Sequence, residues 1–462
     1  MGATEILASY AADLKYEDLP EPVVEQAKRI ILDTMGCMIG GVPLPLGKSI
    51  IELAQEMGGG APEATIVGSG TKVSAVAAAY ANGALSDVLD WNDMLYVGHP
   101  ATAAVSAGLA MAEREGASGK RLIEAVVAAY EVFGRIGICV QPSEERQQAL
   151  WGMLTWIPFN AAVATGKILG LDGAQMATAI GTAGAFAPLG ACWKYVETRS
   201  DTYHYNHGMT AMSGLFAAMH AHKGLTGMNT ILEGPTGFWV LAGSDQCDFD
   251  RLDALLTTLG QDYWIMQTLY KRWPANLWVQ SYLDVFTDLI KQDQIAAEDI
   301  EEINVSPALA MLMTYRANGT MDAAFSLAYA LAIAAFEPEP GTHWYADENM
   351  HSPKVLEMVK KVKKAEGAQD ADLNHEFRNY WNGYWMPVQV EIVTKGNARV
   401  SGHATYPKGH PANPLSHDDL QAKFRHAASS VLQQGRIEEI IAMVKNLEAV
   451  TEMDQLAGLL QP

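Results

Sequence analysis

Asp87-Val-Leu-Asp90-Trp-Asn92-Asp93-Met94-Leu-Tyr96-Val-Gly98-His99-Pro100 is the stretch on which the reading of this chain turns. It gathers three acids, one amide, one phenol and one imidazole between two apolar flanks. Upstream runs Val73-Ser-Ala-Val-Ala-Ala-Ala-Tyr-Ala-Asn82-Gly83-Ala-Leu85, and downstream Ala101-Thr-Ala-Ala-Val-Ser-Ala-Gly-Leu-Ala-Met-Ala112. Both flanks are rich in small residues and poor in charge, the pattern of buried helices. A polar cluster between buried helices must be hydrogen-bonded or solvated, because unpaired buried charge is costly. Pro100 cannot continue a preceding helix but suits the first turn of the next. His99 then sits at a helix N-terminus, where the dipole disfavours its protonated form. Two readings stand: a capped helix–loop–helix corner with Asn92 or Asp93 as caps, or a site of proton chemistry.

Composition narrows the class. The chain has 462 residues, 49% apolar and 18% charged, which allows two or three domains and a large core. A net charge of −21 argues against nucleic acid as a partner, since phosphate binding needs clustered Lys and Arg. Cys37, Cys139, Cys192 and Cys247 are dispersed and form no C-x-x-C pair. That spacing argues against structural zinc and a disulfide framework, and it fits a reducing cytoplasm. The N-terminus has no basic segment followed by a long apolar core, so no signal peptide is expected. No apolar run reaches transmembrane length, so no membrane partner is expected.

Working outward, helices are expected over Thr4–Ala12, Glu21–Ile39, Ser49–Met57, Leu122–Val140, Asn160–Leu169 and Ala174–Ala183. Lys194-Tyr-Val-Glu197-Thr-Arg199-Ser-Asp201-Thr-Tyr203-His204-Tyr205-Asn206-His207-Gly208 reads as a second polar loop. A small-residue helix from Met209 to Lys223 follows it, with Gly224 as its C′ residue. After Asp262 the character changes. Leu269-Tyr-Lys271-Arg272-Trp-Pro274-Ala-Asn276 is a basic aromatic turn. Ile300–Ser306 alternates like a strand, Ala323–Ala335 reads as one helix, and Lys354–Lys364 as a basic amphipathic helix. Pro387–Lys395 and Ala398–Thr405 flank Gly396-Asn397 as a β-hairpin. The expected architecture is mostly α: a large all-helical domain over 1–264 and 406–462, with a smaller α+β domain over 265–405 inserted.

These residues resemble a family. Asn82-Gly83, Leu89-Asp90-Trp91-Asn92-Asp93 and His99-Pro100 are similar to the "NG…HALDFDD…HPS" signature of the MmgE/PrpD family, which includes 2-methylcitrate dehydratase, cis-aconitate decarboxylase and iminodisuccinate epimerase. Ala324-Phe-Ser-Leu-Ala-Tyr329 and Tyr406-Pro407-Lys-Gly409-His410-Pro411-Ala-Asn413-Pro414 add matches, and Lys271 resembles the lysine of a "KPYP" turn. The resemblance implies an all-α domain, a smaller α+β domain, a site between them, a homodimer, and neither metal nor organic cofactor. The pattern is broken at Asp87, where the signature has His, and at Met94, Trp151, Tyr203, Asn206 and Asn276.

The reactions that the resemblance implies share one demand, movement of a proton at the carbon α to a carboxylate or similar acceptor. That needs a base, a group that stabilises the enolate-like intermediate, and often an acid. His99 is the natural base or acid. Asp90 orients it or shares the proton, and Lys271 stabilises negative charge. Tyr203 and His204 stand as replacement donors. Asp93, Met94, Trp151, His207, Arg272 and Asn276 are expected to line the substrate. The expected function is a cofactor-independent, dehydratase-like lyase or isomerase of a small organic acid. Epimerase, decarboxylase and a catalytically degenerate ligand-binding protein remain as alternatives.

Overall fold

The computed structural model describes residues 1–95, 98–149, 155–188, 192–381 and 383–462. Among the described residues the chain is mostly helical, with two small sheets. Helix α1 (Glu21–Gly41) starts after the extended Pro20, with Pro22 in its first turn, and buries Ile30, Ile31, Met35 and Met38. A two-stranded hairpin, β1 (Ala64–Ile66) and β2 (Thr71–Val73), leads into α2 (Ala75–Leu85), which Ser74 caps by accepting from the Ala77 amide at 3.3 Å. Then come α3 (Ala101–Arg114), α4 (Gly119–Cys139), α5 (Pro158–Leu169) and α6 (Thr202–His222).

Helix α6 packs against α2, α3 and α5 and forms the spine of this half. The α2–α6 crossing is close because it is built on glycine. A Cβ on Gly208 would lie 2.3 Å from the Tyr80 carbonyl oxygen, and one on Gly83 would lie 2.9 Å from the His207 carbonyl oxygen. Asn82, beside that crossing, accepts from the Val67 amide at 2.9 Å and donates to the Thr65 carbonyl at 3.0 Å. The Asn82-Gly83 pair thus ties α2 to the hairpin and lets α6 approach. The small residues around Ala101–Ala112 and Ala211–Ala221 are largely buried in this packing inside one chain.

The second half carries α7 (Gln280–Asp293), α8 (Leu327–Phe336) and a four-stranded sheet in the order β4-β3-β5-β6. Its strands are β3 (Ile300–Ser306), β4 (Val362–Lys364), β5 (Val388–Thr394) and β6 (Arg399–Ala404). β3 pairs parallel with β4 and antiparallel with β5. Ile303, Val305, Val390 and Ile392 fill its inner face, and α7 packs on β5 and β6. The chain then returns through α9 (His417–Ala428), which lies along α1, with Phe424 against Gly36.

Three expectations are corrected. The polar stretch 194–208 is not a loop: a short helix spans Cys192–Thr198, and α6 already includes Tyr203, His204 and His207. Its buried members His204 and His207 face Asp87 in the interior, whereas Lys194, Glu197, Asp201 and Tyr205 are exposed, so a polar run there does not mean a loop. Ala323–Ala335 is two helices, Thr320–Ala324 and α8, because extended Ser326 caps the second by accepting from the Tyr329 amide at 3.0 Å. Lys354–Lys364 is a helix only over Pro353–Val359, and Val362 then pairs with Ile303. Among the described residues, no single helix is long and apolar enough to cross a membrane.

Candidate active site

Asp87, Asp90, Asn92, Asp93 and His99 of the quoted stretch are all buried and gather in one polar region. Past Leu85, α2 unwinds through a turn in which the Asp90 amide donates to the Asp87 carbonyl at 2.8 Å. Asp90 itself has φ +46, a left-handed conformation uncommon for a residue with a side chain. Farther on, Leu95 and Gly98 exchange both backbone hydrogen bonds, which closes the loop and presents His99 just before α3. Pro100 stands at the start of α3, as its ring favours.

Asp87, which sequence reasoning noted only as a departure, is the hub of the cluster. Its Oδ1 accepts from the Asn92 side chain at 2.7 Å and lies 3.5 Å from His207 Nε2. Its Oδ2 accepts from His204 Nδ1 at 2.8 Å. Burial works against its charge, but His207 and the His204 hydrogen bond prevail and hold the carboxyl well below its ordinary range. Burial also works against charge on His204, yet the Asp87 hydrogen bond and its charge hold the imidazole above its ordinary value. His204 is therefore the cationic partner of Asp87. Its Nε2 has no hydrogen-bond partner among the described residues.

Lys271 supplies the second ion pair. Its ammonium contacts the Asp90 carboxylate, donates to the Asp90 carbonyl at 2.9 Å, and lies 3.4 Å from Asn92 Oδ1. Burial raises the Asp90 carboxyl to about 6, opposed by Lys271. Asp90 Oδ2 is buried and without a hydrogen-bond partner among the described residues. A backbone zipper brings Lys271 here. Met94 and Leu269 exchange hydrogen bonds of 2.8 Å, and Trp91 Nε1 donates to the Arg272 carbonyl at 2.9 Å. Gly409, at φ +105, lets the Tyr406–Pro414 turn press on this segment; a Cβ there would lie 1.9 Å from the Tyr270 carbonyl oxygen. From α9, Lys423 donates to the Trp91 carbonyl at 2.6 Å and pairs with Asp33 at 2.7 Å.

His99 is the neutral, basic member. Its Nδ1 lies 2.7 Å from the Asp93 carbonyl, which can only accept, so Nδ1 carries the hydrogen. That leaves the Nε2 lone pair facing the Tyr203 hydroxyl at 3.3 Å. Burial pulls the imidazole well below its ordinary value, and Lys271 adds to the effect. His207 is also neutral, drawn by burial to about 4. Thr102 donates to the His99 carbonyl at 2.7 Å and accepts from His207 Nδ1 at 3.0 Å, which locks the two rings together.

The structure thus brings together His99, Asp90, Lys271, Tyr203, His204 and His207. Met94 lies in the zipper, buried. Asp93 is turned elsewhere: its carboxyl accepts from the Tyr130 hydroxyl at 2.5 Å and the Ala101 amide at 3.3 Å, and burial raises it to about 7. It caps α3 and, through its carbonyl, orients His99. The expectation that Arg272 lines the substrate is corrected. Its side chain is 39% exposed, pairs with Asp284 at 3.1 Å and stacks over Trp273. Asn276 is likewise diverted, accepting from the Trp278 amide at 3.1 Å as a cap. Trp151 lies outside the described residues. Sequence reasoning missed the roles of Asp87, Thr102 and Tyr130. Asp87 stood in the quoted stretch, whereas Tyr130 is one aromatic among many in a buried helix and carries no local signal. Among the described residues, no group of three or more His, Cys, Asp or Glu is arranged to hold a metal ion.

Residues 5–249 match the MmgE/PrpD N-terminal domain, and residues 273–449 match the MmgE/PrpD C-terminal domain. A cis-aconitate decarboxylase of Aspergillus terreus is 24% identical over 99% of this chain and 96% of its own length. One from Mus musculus is 24% identical over 99% of this chain and 93% of its own. One from Homo sapiens is 23% identical over 99% and 94%.

The Asp87–His204 pair has a pH signature. Asp87 is held below its ordinary 3.8, so its contribution is present above that pH and lost as pH falls toward the folded value. His204 is held above its ordinary 6.5, so its contribution is full below that pH and lost as pH rises through the folded value. The melting-temperature advantage of wild type over Asp87→Asn should therefore be largest between about pH 4 and 6.5 and narrow on the alkaline side. A gap that widens steadily from pH 6 to 9 contradicts the assignment of charge to His204.

Proposed function

Because this chain belongs to the MmgE/PrpD family, we propose that it is a cofactor-independent lyase or isomerase that moves a proton at the carbon α to a carboxylate of a small organic acid. The observation that carries this reading is the meeting of a neutral imidazole, a phenol and a buried ammonium in one cluster. His99 Nε2 is the base, its lone pair accepting from the Tyr203 hydroxyl at 3.3 Å. The Tyr203 hydroxyl beside it is the group through which a proton is delivered or returned. Lys271 anchors the carboxylate and stabilises the charge that spreads onto it as the α carbon loses or gains its proton. His204 offers its unpartnered Nε2–H as a further donor to the same anion or to a leaving hydroxyl. Asp87 and Asp90 are positioning residues that hold His204 and Lys271.

Dehydration uses these pieces as base, enolate stabiliser and acid. Decarboxylation, the reaction named for the relatives, uses the same pieces in another order. Loss of carbon dioxide leaves a carbanion that an acid must protonate. That second reading is favoured by the likeness along the whole chain. The site reading also includes a placement of parts. Residues 265–405 form an insert between 1–264 and 406–462, supported by the return of α9 to α1 and the Lys423–Asp33 pair. The unpaired thiols of Cys37, Cys139 and Cys247 suit the cytoplasm.

The chain is further proposed to act as a homodimer. Helix α6 presents Tyr205, Met209 and Phe216 outward, each at least 36% exposed. Phe186 lies beside Phe216 with ring centroids 6.5 Å apart. An apolar stripe of this kind marks a contact surface. Light scattering at micromolar concentration should give twice the 50.0 kDa chain mass, and Phe216→Glu should shift it toward one chain. A wild-type monomer sinks the dimer proposal.

His99→Gln keeps bulk and some hydrogen bonding but cannot act as a base near neutrality. It should lower kcat by about 10²- to 10⁴-fold, with a melting temperature close to wild type. Solvent deuterium should enter the α position of a bound acid with wild type and not with His99→Gln, as read by NMR. Deuterium entry unchanged in the variant removes His99 from the mechanism. No entry with any acid in a broad panel leaves a ligand-binding protein without catalysis.

A further inference from the structure

The buried cluster has a charge count that limits what can enter it. Two strong cationic positions face it, Lys271 and His204, and each is already balanced, by Asp90 and Asp87 respectively. His99 and His207 are neutral and bring no further positive charge. The next cations outward are committed elsewhere. Lys423 is held by Asp33 and the Trp91 carbonyl. Arg199 donates to the carbonyls of Phe325 and Met311, behind the Phe325 ring that packs on Tyr203. Arg272 is paired with Asp284 at the surface, and Lys194 with Glu197. Residues 96–97, 150–154, 189–191 and 382 contain neither Lys nor Arg. No arginine fork reaches the cluster from any described element, and bidentate carboxylate recognition depends on one.

Three polar atoms in the cluster are unpartnered among the described residues, Asp90 Oδ2, His204 Nε2 and His207 Nε2, and all belong to side chains buried from solvent. His207 Nε2 is a bare acceptor, because its Nδ1 carries the hydrogen donated to Thr102. Only one of them, His204 Nε2–H, is a donor to an anion. With the Lys271 ammonium it gives the cluster two cationic donors, enough to balance a single carboxylate. A second or third carboxylate brought against these buried groups would meet Asp87, Asp90 and neutral imidazoles, and would be buried without a counter-charge.

We propose that the substrate is a small monocarboxylic acid, seated between Lys271 and His204, and that the site excludes di- and tricarboxylates. The proposal rests on the proton-transfer reading of the preceding subsection and deepens it by fixing the charge class.

The test compares the full chain with three sets of probe acids. Crotonate and 3-hydroxybutyrate are the monoanions, fumarate and malate the dianions, and citrate and cis-aconitate the trianions. Each is assayed by calorimetric binding, by α-deuterium entry and by product formation. The expected result is that a monocarboxylate binds and exchanges while the trianions fall at least about 100-fold lower in kcat/KM. Lys271→Met should abolish the monocarboxylate binding. Raising ionic strength to 0.5 M screens the overall charge of −21 and should leave the ranking unchanged. A di- or tricarboxylate handled as well as the monoanions overturns the charge-class inference and leaves the proton-transfer reading standing. So does a ranking that disappears at high salt. Monocarboxylate binding that survives in Lys271→Met removes the proposed seat. Deuterium entry with no acid of any class overturns both.

Discussion

The contact on which the rest of the site depends is the buried pair between Lys271 and Asp90. Neither group reaches solvent, so the desolvation of two charges, several kcal/mol each, is offset only by close contact and by further hydrogen bonds. The structure supplies them: the same ammonium also donates to the Asp90 carbonyl and lies near Asn92. This arrangement needs Asp90 in a left-handed backbone conformation, a strain of about 1–3 kcal/mol for a residue with a side chain. The strain persists because the surroundings over-determine it. The Met94–Leu269 backbone pair, the Trp91–Arg272 hydrogen bond and the Lys423 contact to Trp91 all fix the loop on either side. Elements from residue 33 to residue 423 therefore converge on one turn. Such spending of conformational strain on a polar loop is expected where the loop has chemical work.

The second pair, Asp87 with His204, is organised by helix packing and not by a loop. Glycines at 83 and 208 let α2 and α6 approach, and this sets His204 and His207 over Asp87. The two ion pairs leave the cluster with balanced charge and with two neutral imidazoles, His207 and His99, the latter with its tautomer set by the Asp93 carbonyl. Under the proposed function the labour divides accordingly: acids and carbonyls position, while the imidazole, the phenol and the ammonium are the groups that would act on a substrate.

Much of this was legible from the residues. The quoted stretch, the apolar small-residue flanks, Pro100 at the head of a helix and the hairpin around Gly396-Asn397 all carry local physical signals. His99 stands out as an imidazole between apolar flanks, His204 and His207 as imidazoles in a dense polar and aromatic run, and Lys271 and Tyr203 through their places in the motifs that the family resemblance supplies. What was not legible depends on three-dimensional partners. Nothing local says that Arg272 turns to Asp284 while its neighbour Lys271 turns inward, since both are basic and adjacent. Nor does a polar run reveal that it is helical and buried, as around Tyr203, until the helices against it are placed. Tyr130 lies 37 positions from Asp93 and met it only through folding.

The central claim is that Asp90 and Lys271 are coupled across the chain, and that Lys271 is needed for chemistry as well as for the fold. A double-mutant cycle of Asp90→Asn and Lys271→Met, read by unfolding free energy and by turnover on the same preparations, tests it most directly. Each single change leaves an uncompensated buried group and should cost about 3–5 kcal/mol. The double variant should recover most of that loss, because both charges are gone, and should still lack turnover. Additive losses would show that the two groups are not coupled, and normal turnover in the double variant would show that Lys271 has no part in the reaction.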